Sequence, residues 1–149
     1  MILYIQTNPN NPILRQKARE VKEITAEIKQ LILDMIETME KAPGVGLAAP
    51  QVGQSLRVIV AKTSRDEKSE TISLINPKIK KSSWKKALAE EGCLSLPQQS
   101  SLLIKRPVKI KVEGLNPEGA KVKIKAEGLL ARIIQHEVDH LDGVLIVDK

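Results

Sequence analysis

The sequence predicts an α+β fold, with short antiparallel β-sheets packed around a central C-terminal helix and another helix nearer the N-terminus. Three observations carry this prediction. Apolar residues recur with helical spacing twice, at Ile28, Leu31, Ile32, Met35, Ile36 and Met39 and again at Leu129, Leu130, Ile133, Ile134, Val138 and Leu141. Between these stripes lie short runs, apolar or alternating with period two and separated by turn residues, as antiparallel strands are. Strand and helix runs do not alternate as βαβ units, which sets aside a doubly wound parallel sheet.

Residues 1–20 read as irregular, with turns at Asn8-Pro9 and Asn11-Pro12 and a short helical piece over Ile13–Ala18. The first strong helix starts after Thr25, a suitable N-cap, has Glu27 in its first turn, and stops near Pro43. The stretch APGVGLAAPQVGQ (42–54) holds three glycines and two prolines, so it is expected to lack regular structure and to bring backbone groups close to a ligand. No Lys-Ser/Thr follows its glycines, so it is not a phosphate-binding P-loop. Arg57–Ala61 is a short apolar strand, 62–70 a polar hairpin loop, and Thr71–Ile75 a second strand ended by Asn76-Pro77, with a third over Lys78–Lys81. Val108–Glu113 and Lys121–Ala126 alternate cleanly and are joined through Asn116-Pro117-Glu118-Gly119, which makes a β-hairpin. Gly128 precedes a helix of about 14 residues, apolar on more than one face and therefore central, which Gly143 ends. Val144–Val147 is expected to add a last strand.

A chain of 149 residues is one domain by length and large enough to bury a core without disulfides. Its single cysteine, Cys93, excludes an internal disulfide. No apolar run approaches transmembrane length, and MILYIQTNPNNP is too soon broken by prolines to be a signal, so a soluble, cytoplasmic protein is expected. Phe is absent and Trp84 and Tyr4 are single, which leaves Ile, Leu, Val and Ala to build the core.

Net charge is +6, which raises the question of nucleic acid. Many lysines, however, alternate with apolar residues, as in 108–112 and 121–125, which is the solvated face of a sheet. Aromatics for base stacking are nearly absent, so specific DNA binding is not expected. Weak, salt-dependent association with a large polyanion such as a ribosome stays open.

The chemistry concentrates in QHEVDHLDG. Both histidines of the chain, His136 and His140, lie there four residues apart, on one face of the predicted helix. Glu137 sits beside the first of them, where it can reach a water on a metal without being a ligand, as in HExxH hydrolase sites. A catalytic site of this kind takes three protein ligands and keeps one position open. With no third histidine, the third ligand must be Cys, Asp or Glu. Cys93 is the candidate, because Gly92 and Pro97 mark its surroundings as a shaped loop rather than a core strand. In GVGLAAPQ only Gln51 has a side chain able to donate hydrogen bonds. Leu129 and Ile133 share the helix face of the two histidines and are candidates for an apolar pocket.

Taken in order, GVGLAAPQ (44–51), EGCLS (91–95) and HEVDH (136–140) resemble the three signature motifs of the peptide deformylase family, with no internal departure, and the likeness runs over nearly the whole chain. The resemblance implies removal of the N-formyl group from the initiator methionine of new polypeptides. It implies a metal held by Cys93, His136 and His140, Glu137 as the acid and base, and Gln51 with the backbone N–H of Leu94 as donors to the developing oxyanion. The backbone of Val45 and Gly46 would pair with the substrate like an added strand. A Cys-His-His set suits Fe²⁺, Zn²⁺, Ni²⁺ and Co²⁺, and the resemblance favours Fe²⁺ in the cell. Many members carry an arginine where this chain has Gln-Gln-Ser-Ser, and Arg106 stands one residue beyond another family arginine. Members commonly continue into a C-terminal helix, so residues 1–149 are expected to form a single catalytic domain without that extension.

Two other classes compete. A metallopeptidase would also use HExxH, but would draw its third ligand from Glu, Asp or His rather than from a Cys93 loop. A non-catalytic metal- or RNA-binding module would have no need of Glu137 as a base.

Overall fold

The computed structural model describes residues 1–149 and has the predicted α+β architecture. Helix α1 (Pro12–Arg15) is a single turn, shorter than the Ile13–Ala18 piece expected. Helix α2 (Ala26–Lys41) follows its Thr25 cap, whose hydroxyl accepts from the Ile28 N–H at 3.3 Å. Helix α3 (Gly128–Leu141) carries HEVDH. The strands are β1 (Gly46–Ala48), β2 (Val58–Lys62), β3 (Thr71–Ser82), β4 (Lys86–Glu91), β5 (Leu102–Pro107), β6 (Lys109–Leu115) and β7 (Lys121–Glu127). Five of them form one antiparallel sheet in the order β1-β2-β3-β6-β7, and β4 and β5 form a separate ribbon.

The sheet is covered unequally. Val58, Ile59, Val60 and Ala61 of β2 are all buried, because α3 packs on one face and α2 on the other. Ile59 joins a cluster with Ala131, Ile134, Val138 and Leu141 of α3, whereas Val58 and Val60 join Ile32, Met35 and Met39 of α2. A strand covered on both faces has no solvated positions, which is why its sequence is a continuous apolar run. At the other end, β6 and β7 bury Ile110, Val112 and Ala126 and turn lysines outward, so only one face is covered. A third cluster joins Leu14, Leu96, Ile104, Leu145 and Ile146 beneath the Cys93 loop.

Four expectations need correction. The glycine-rich stretch is not without regular structure: Gly46–Ala48 is a strand and Ala49–Val52 a 3₁₀ turn, because pairing with β2 outweighs the poor strand propensity of GLA. Thr71–Ile75 and Lys78–Lys81 are one strand, not two. Asn76, with φ 54°, and buried Pro77 lie in a bulge of β3, the place where a strand tolerates a missing N–H. Asn76 is held there by its side chain, which accepts from the Val21 N–H and donates to the Val21 carbonyl. Val144–Val147 is not a strand. Leu145 and Ile146 bury in the third cluster with no strand to pair with, and Ile146–Asp148 forms a 3₁₀ turn. Finally, β4 and β5 flank the Cys93 segment, where the sequence predicts no strand.

Candidate active site

Helix α3 brings His136 and Glu137 to the wall of a cleft of about 400 Å³, with His140 buried just behind them. Opposite stand the free edge of β1 and the Cys93 loop, whose turn is closed by the Leu96 N–H donating to the Cys93 carbonyl at 3.0 Å. Cys93 Sγ lies 3.3 Å from His140 Nε2, and His140 Nε2 lies 3.2 Å from His136 Nε2. One ligand atom from each of the three residues lies within 4.8 Å of the other two.

This donor set fits a divalent ion. His136 Nδ1 is 2.9 Å from Glu91 Oε1, which places the ring proton on Nδ1 and leaves a lone pair on Nε2 facing the other two ligand atoms. Ligand atoms that share one ion with bonds of about 2.0–2.3 Å stand roughly 3.3–3.7 Å apart, and the two separations of 3.2 and 3.3 Å are close to that. Two buried polar atoms at this point have no partner in the chain, Glu137 Oε1 and His140 Nδ1. Buried polar atoms are normally hydrogen-bonded, so orphans here are consistent with a site that takes further groups.

Glu137 is 4 % exposed, and burial, opposed by the His136 charge, raises its pKa to about 7. It is pressed against β1: a Cβ on Gly46 would come within 2.5 Å of Glu137 Oε2 and 2.8 Å of Ile133 Cγ2. Glycine at 46 is therefore required by close approach and not by its backbone angles. Among the protein groups alone, burial lowers the His136 pKa, but the Glu137 charge and hydrogen bonds with Cys93 and Glu91 outweigh it and push the value up to about 10, so an ion would take the place of a proton on Nε2. Burial and the neighbouring His136 charge drive His140 the other way, well below the usual range.

Gln51 is buried in the 3₁₀ turn that follows β1. Its Oε1 accepts from the Ala48 N–H at 3.0 Å, and its Nε2 donates to Ser95 Oγ at 3.1 Å and lies 3.8 Å from Cys93 Sγ. Leu94, Leu129, Ile133, Val45 and Gly46 all line the same cleft. The sequence-derived residues are thus together, contributed by β1 with the residue before it and the 3₁₀ turn after it, the Cys93 loop and α3.

A buried charge network beside α3 joins Arg106 and Glu91, which the sequence marks only through the family likeness and EGCLS, to Arg132 and Asp139, which it does not single out. Arg106 is 4 % exposed and forks onto Glu91, with Nε to Oε2 at 2.6 Å and Nη2 to Oε1 at 2.8 Å. Its Nη1 donates to Asp139 Oδ2 at 2.8 Å. Arg132 donates to Glu91 and to the carbonyls of Ile104 and Ala87. Burial raises the Glu91 pKa, but hydrogen bonds from His136 and Arg106 overcome it and hold the carboxyl down at about 2. Glu91 therefore remains an anion that orients His136. Apart from the family likeness that touches Arg106, the signal in the sequence is an acid two residues before a candidate ligand; its arginine partners lie on β5 and α3 and leave no local pattern.

Among known proteins, the family model described as polypeptide deformylase matches residues 2–149. A peptide deformylase of Halothermothrix orenii is 52% identical over 139 residues, covering 93% of this chain and 88% of its relative. The crystal structure of the peptide deformylase from Thermotoga maritima superposes with a TM-score of 0.92 at 42% identity, covering 100% of this chain and 97% of the other. A Met-Ala-Ser-bound class I type b peptide deformylase from Acinetobacter baumannii superposes with a TM-score of 0.93 at 35% identity, covering 100% and 99%.

Proposed function

The chain belongs to the polypeptide deformylase family, and on that premise we propose that Cys93, His136 and His140 hold its divalent ion while Glu137 moves the protons of the reaction. The protein is a metal-dependent hydrolase that removes the N-formyl group from the N-terminal methionine of newly synthesised polypeptides and releases formate. The observation that carries the proposal about residues is the mutual approach of three lone-pair donors beside a buried, partly unpartnered carboxylate.

When bound, the ion supplies Lewis acidity and draws the pKa of water from about 16 towards 7. Glu137, with its raised pKa, suits a base that accepts a proton from the attacking water and an acid that returns it to the leaving amine. Leu94 N–H makes no backbone hydrogen bond and Gln51 Nε2 reaches the cleft beside Cys93. We assign both as donors to the formyl oxygen as charge grows on it, each worth about 3 kcal/mol. Leu129 and Ile133 form the apolar wall for the methionine side chain.

The Val45 carbonyl is taken by the Lys62 N–H at 2.8 Å, so ladder alternation points the backbone groups of Gly46 away from β2. This free edge is where an extended substrate adds as a strand, with Val45 lining the cleft beside it. The Acinetobacter relative was crystallised with Met-Ala-Ser, and we assign the same kind of peptide to this cleft. Fe²⁺ is the ion we assign in the cell, with Zn²⁺, Ni²⁺ and Co²⁺ compatible with the same ligands. No helix is long and apolar enough to cross a membrane. We place the enzyme in the cytoplasm, with weak, salt-dependent ribosome association, because its substrates arise there.

The test is hydrolysis of three peptides under anaerobic conditions. Formyl-Met-Ala-Ser should release formate, acetyl-Met-Ala-Ser should react far more slowly, and an unblocked oligopeptide should stay intact. Fragments of the unblocked peptide, or equal rates for formyl and acetyl, would reject this reading. Elemental analysis of Cys93→Ala should show metal content falling well below one per chain; undiminished stoichiometry would remove Cys93 from the site.

A further inference from the structure

The outer face of the five-stranded sheet carries charge that the reaction does not use. Several of its lysines are paired loosely: Lys109 with Glu127 at 3.8 Å, and Lys80 and Lys123 with Glu113 at 3.7 Å. One row is not. Lys81 on β3, Lys111 on β6 and Lys125 on β7 stand directly opposite one another across three neighbouring strands, all exposed and none in an ion pair. Like charges directly opposite in a ladder destabilise the sheet. Their roots span about 10 Å at normal strand spacing. Together with Lys109, Ser82 and Ser83 they line a groove of about 410 Å³, whose one carboxylate, Glu127, is paired with Lys109.

Next in the chain is Trp84, the only tryptophan, which is 100% exposed. It sits in the connection between β3 and β4, flanked by groove-lining Ser83 and by Lys85 and Lys86. Tryptophan is ordinarily well covered in folded chains, so an indole wholly in water next in the chain to a groove lined by three unpaired lysines is unusual.

We propose that this groove binds a single-stranded RNA segment, with phosphates over the Lys81–Lys111–Lys125 row and an unpaired base stacked on Trp84. The two elements are those of sequence-tolerant single-strand binding, a basic groove that tracks the backbone and an aromatic platform for a base. The phosphates relieve the repulsion within the row, and their counterions are released. A lipid surface is the weaker fit, since the lysines line a concavity with hydroxyls and the apolar element is one side chain rather than a broad face. The choice of RNA rests on the assignment of new polypeptides as substrates, because those are made amid RNA; the groove itself does not depend on it.

The experiment uses the whole protein and an unstructured RNA of about 12 nucleotides. Anisotropy of labelled RNA in about 50 mM salt should report binding that weakens steeply as salt rises. Lys111→Gln should flatten the slope of log K against log salt by about 0.7, and the triple variant Lys81→Gln, Lys111→Gln, Lys125→Gln by about 2. Trp84→Ala should lose about tenfold in affinity. Unlabelled RNA should quench the protein's tryptophan emission, which comes from Trp84 alone. All these variants should keep formate release, which separates failure of this inference from failure of the deformylase reading. Undiminished RNA binding by the triple variant overturns the proposal. So does unquenched Trp84 emission with RNA bound. A Trp84 response to phosphatidylserine vesicles but not to RNA overturns it in favour of a lipid surface.

Discussion

The charges behind α3 and the charges outside β6 and β7 involve the same kinds of side chain in opposite circumstances. Behind the helix, Arg106 and Glu91 are each buried and meet at 2.6 and 2.8 Å through a two-pronged contact. On the outer face, lysines and glutamates approach to 3.7–3.8 Å with a third or more of each side chain open to water. A buried pair has lost its hydration, so removing either member strands a charge. An exposed pair has lost almost nothing and returns almost nothing. The buried set can therefore fix the orientation of His136, whereas the outer set leaves its lysines free to meet something else.

The largest effect should come from Glu137, the exception within the buried region because one of its oxygens has no partner. Glu137→Ala should lower kcat by about two to four orders of magnitude while leaving one metal per chain. Near-normal turnover, or loss of metal on elemental analysis, would break its assignment as a proton carrier rather than a ligand.

Glu91→Gln attacks the buried network directly. Arg106 would keep Asp139 but lose the carboxylate that its fork grips, and the expected cost is about 3–5 kcal/mol in denaturant unfolding. Metal affinity should fall about 10- to 100-fold, because His136 loses the partner that orients it. The acid limb sharpens the point. The Glu91 carboxyl is held at about 2 against an ordinary value of 4.5. A depressed acid contributes stability that is present above its unfolded pKa and is lost as pH falls through its folded one. The stability gap between the native protein and Glu91→Gln should thus be full above pH 4.5 and close as pH falls towards 2. A gap independent of pH would mean that the Glu91 charge is not what holds the network.

Gly46→Ala tests geometry without touching charge. The added methyl must displace Glu137 or Ile133, since neither approach leaves room for it. Activity should drop by about tenfold to a hundredfold, with a stability loss of about 1–3 kcal/mol. Wild-type kcat/KM in this variant would show that β1 is not pressed on the acid.

The smallest effect should come from the outer face. Lys80→Ala removes an exposed pair at 3.7 Å, and Glu113 keeps Lys123 at the same distance. Unfolding free energy should change by less than about 0.5 kcal/mol. A larger change would blur the contrast between the two regions.

The same contrast explains which features are legible in the amino-acid sequence. His136, Glu137 and His140 sit within one helical turn, so their chemistry imposes a local spacing that a sequence displays. The clean alternation of β6 and β7 is legible for a related reason, since one wet face and one buried face print a period of two. The pairing of Arg106 with Glu91 is not, because fifteen residues and a ribbon turn separate them and neither residue type announces its partner. The strands that hold them give little sign of themselves: KALAEE does not alternate cleanly, and LLIKRP ends in proline. GLA of β1 looks like a loop from within, and only its neighbour β2 makes it a strand.

The double covering of β2 has a consequence for how the molecule opens. Its amides are locked between β1 and β3 and shielded by helices on both faces, so their protons should exchange with solvent deuterium only when the whole fold comes apart. The edge strand β7, bare on one side, can detach in smaller excursions and should exchange sooner. Such fraying would start at the border of the sheet farthest in strand order from β1, so the molecule can loosen at its lysine-bearing margin while the ligand-bearing cleft stays shut.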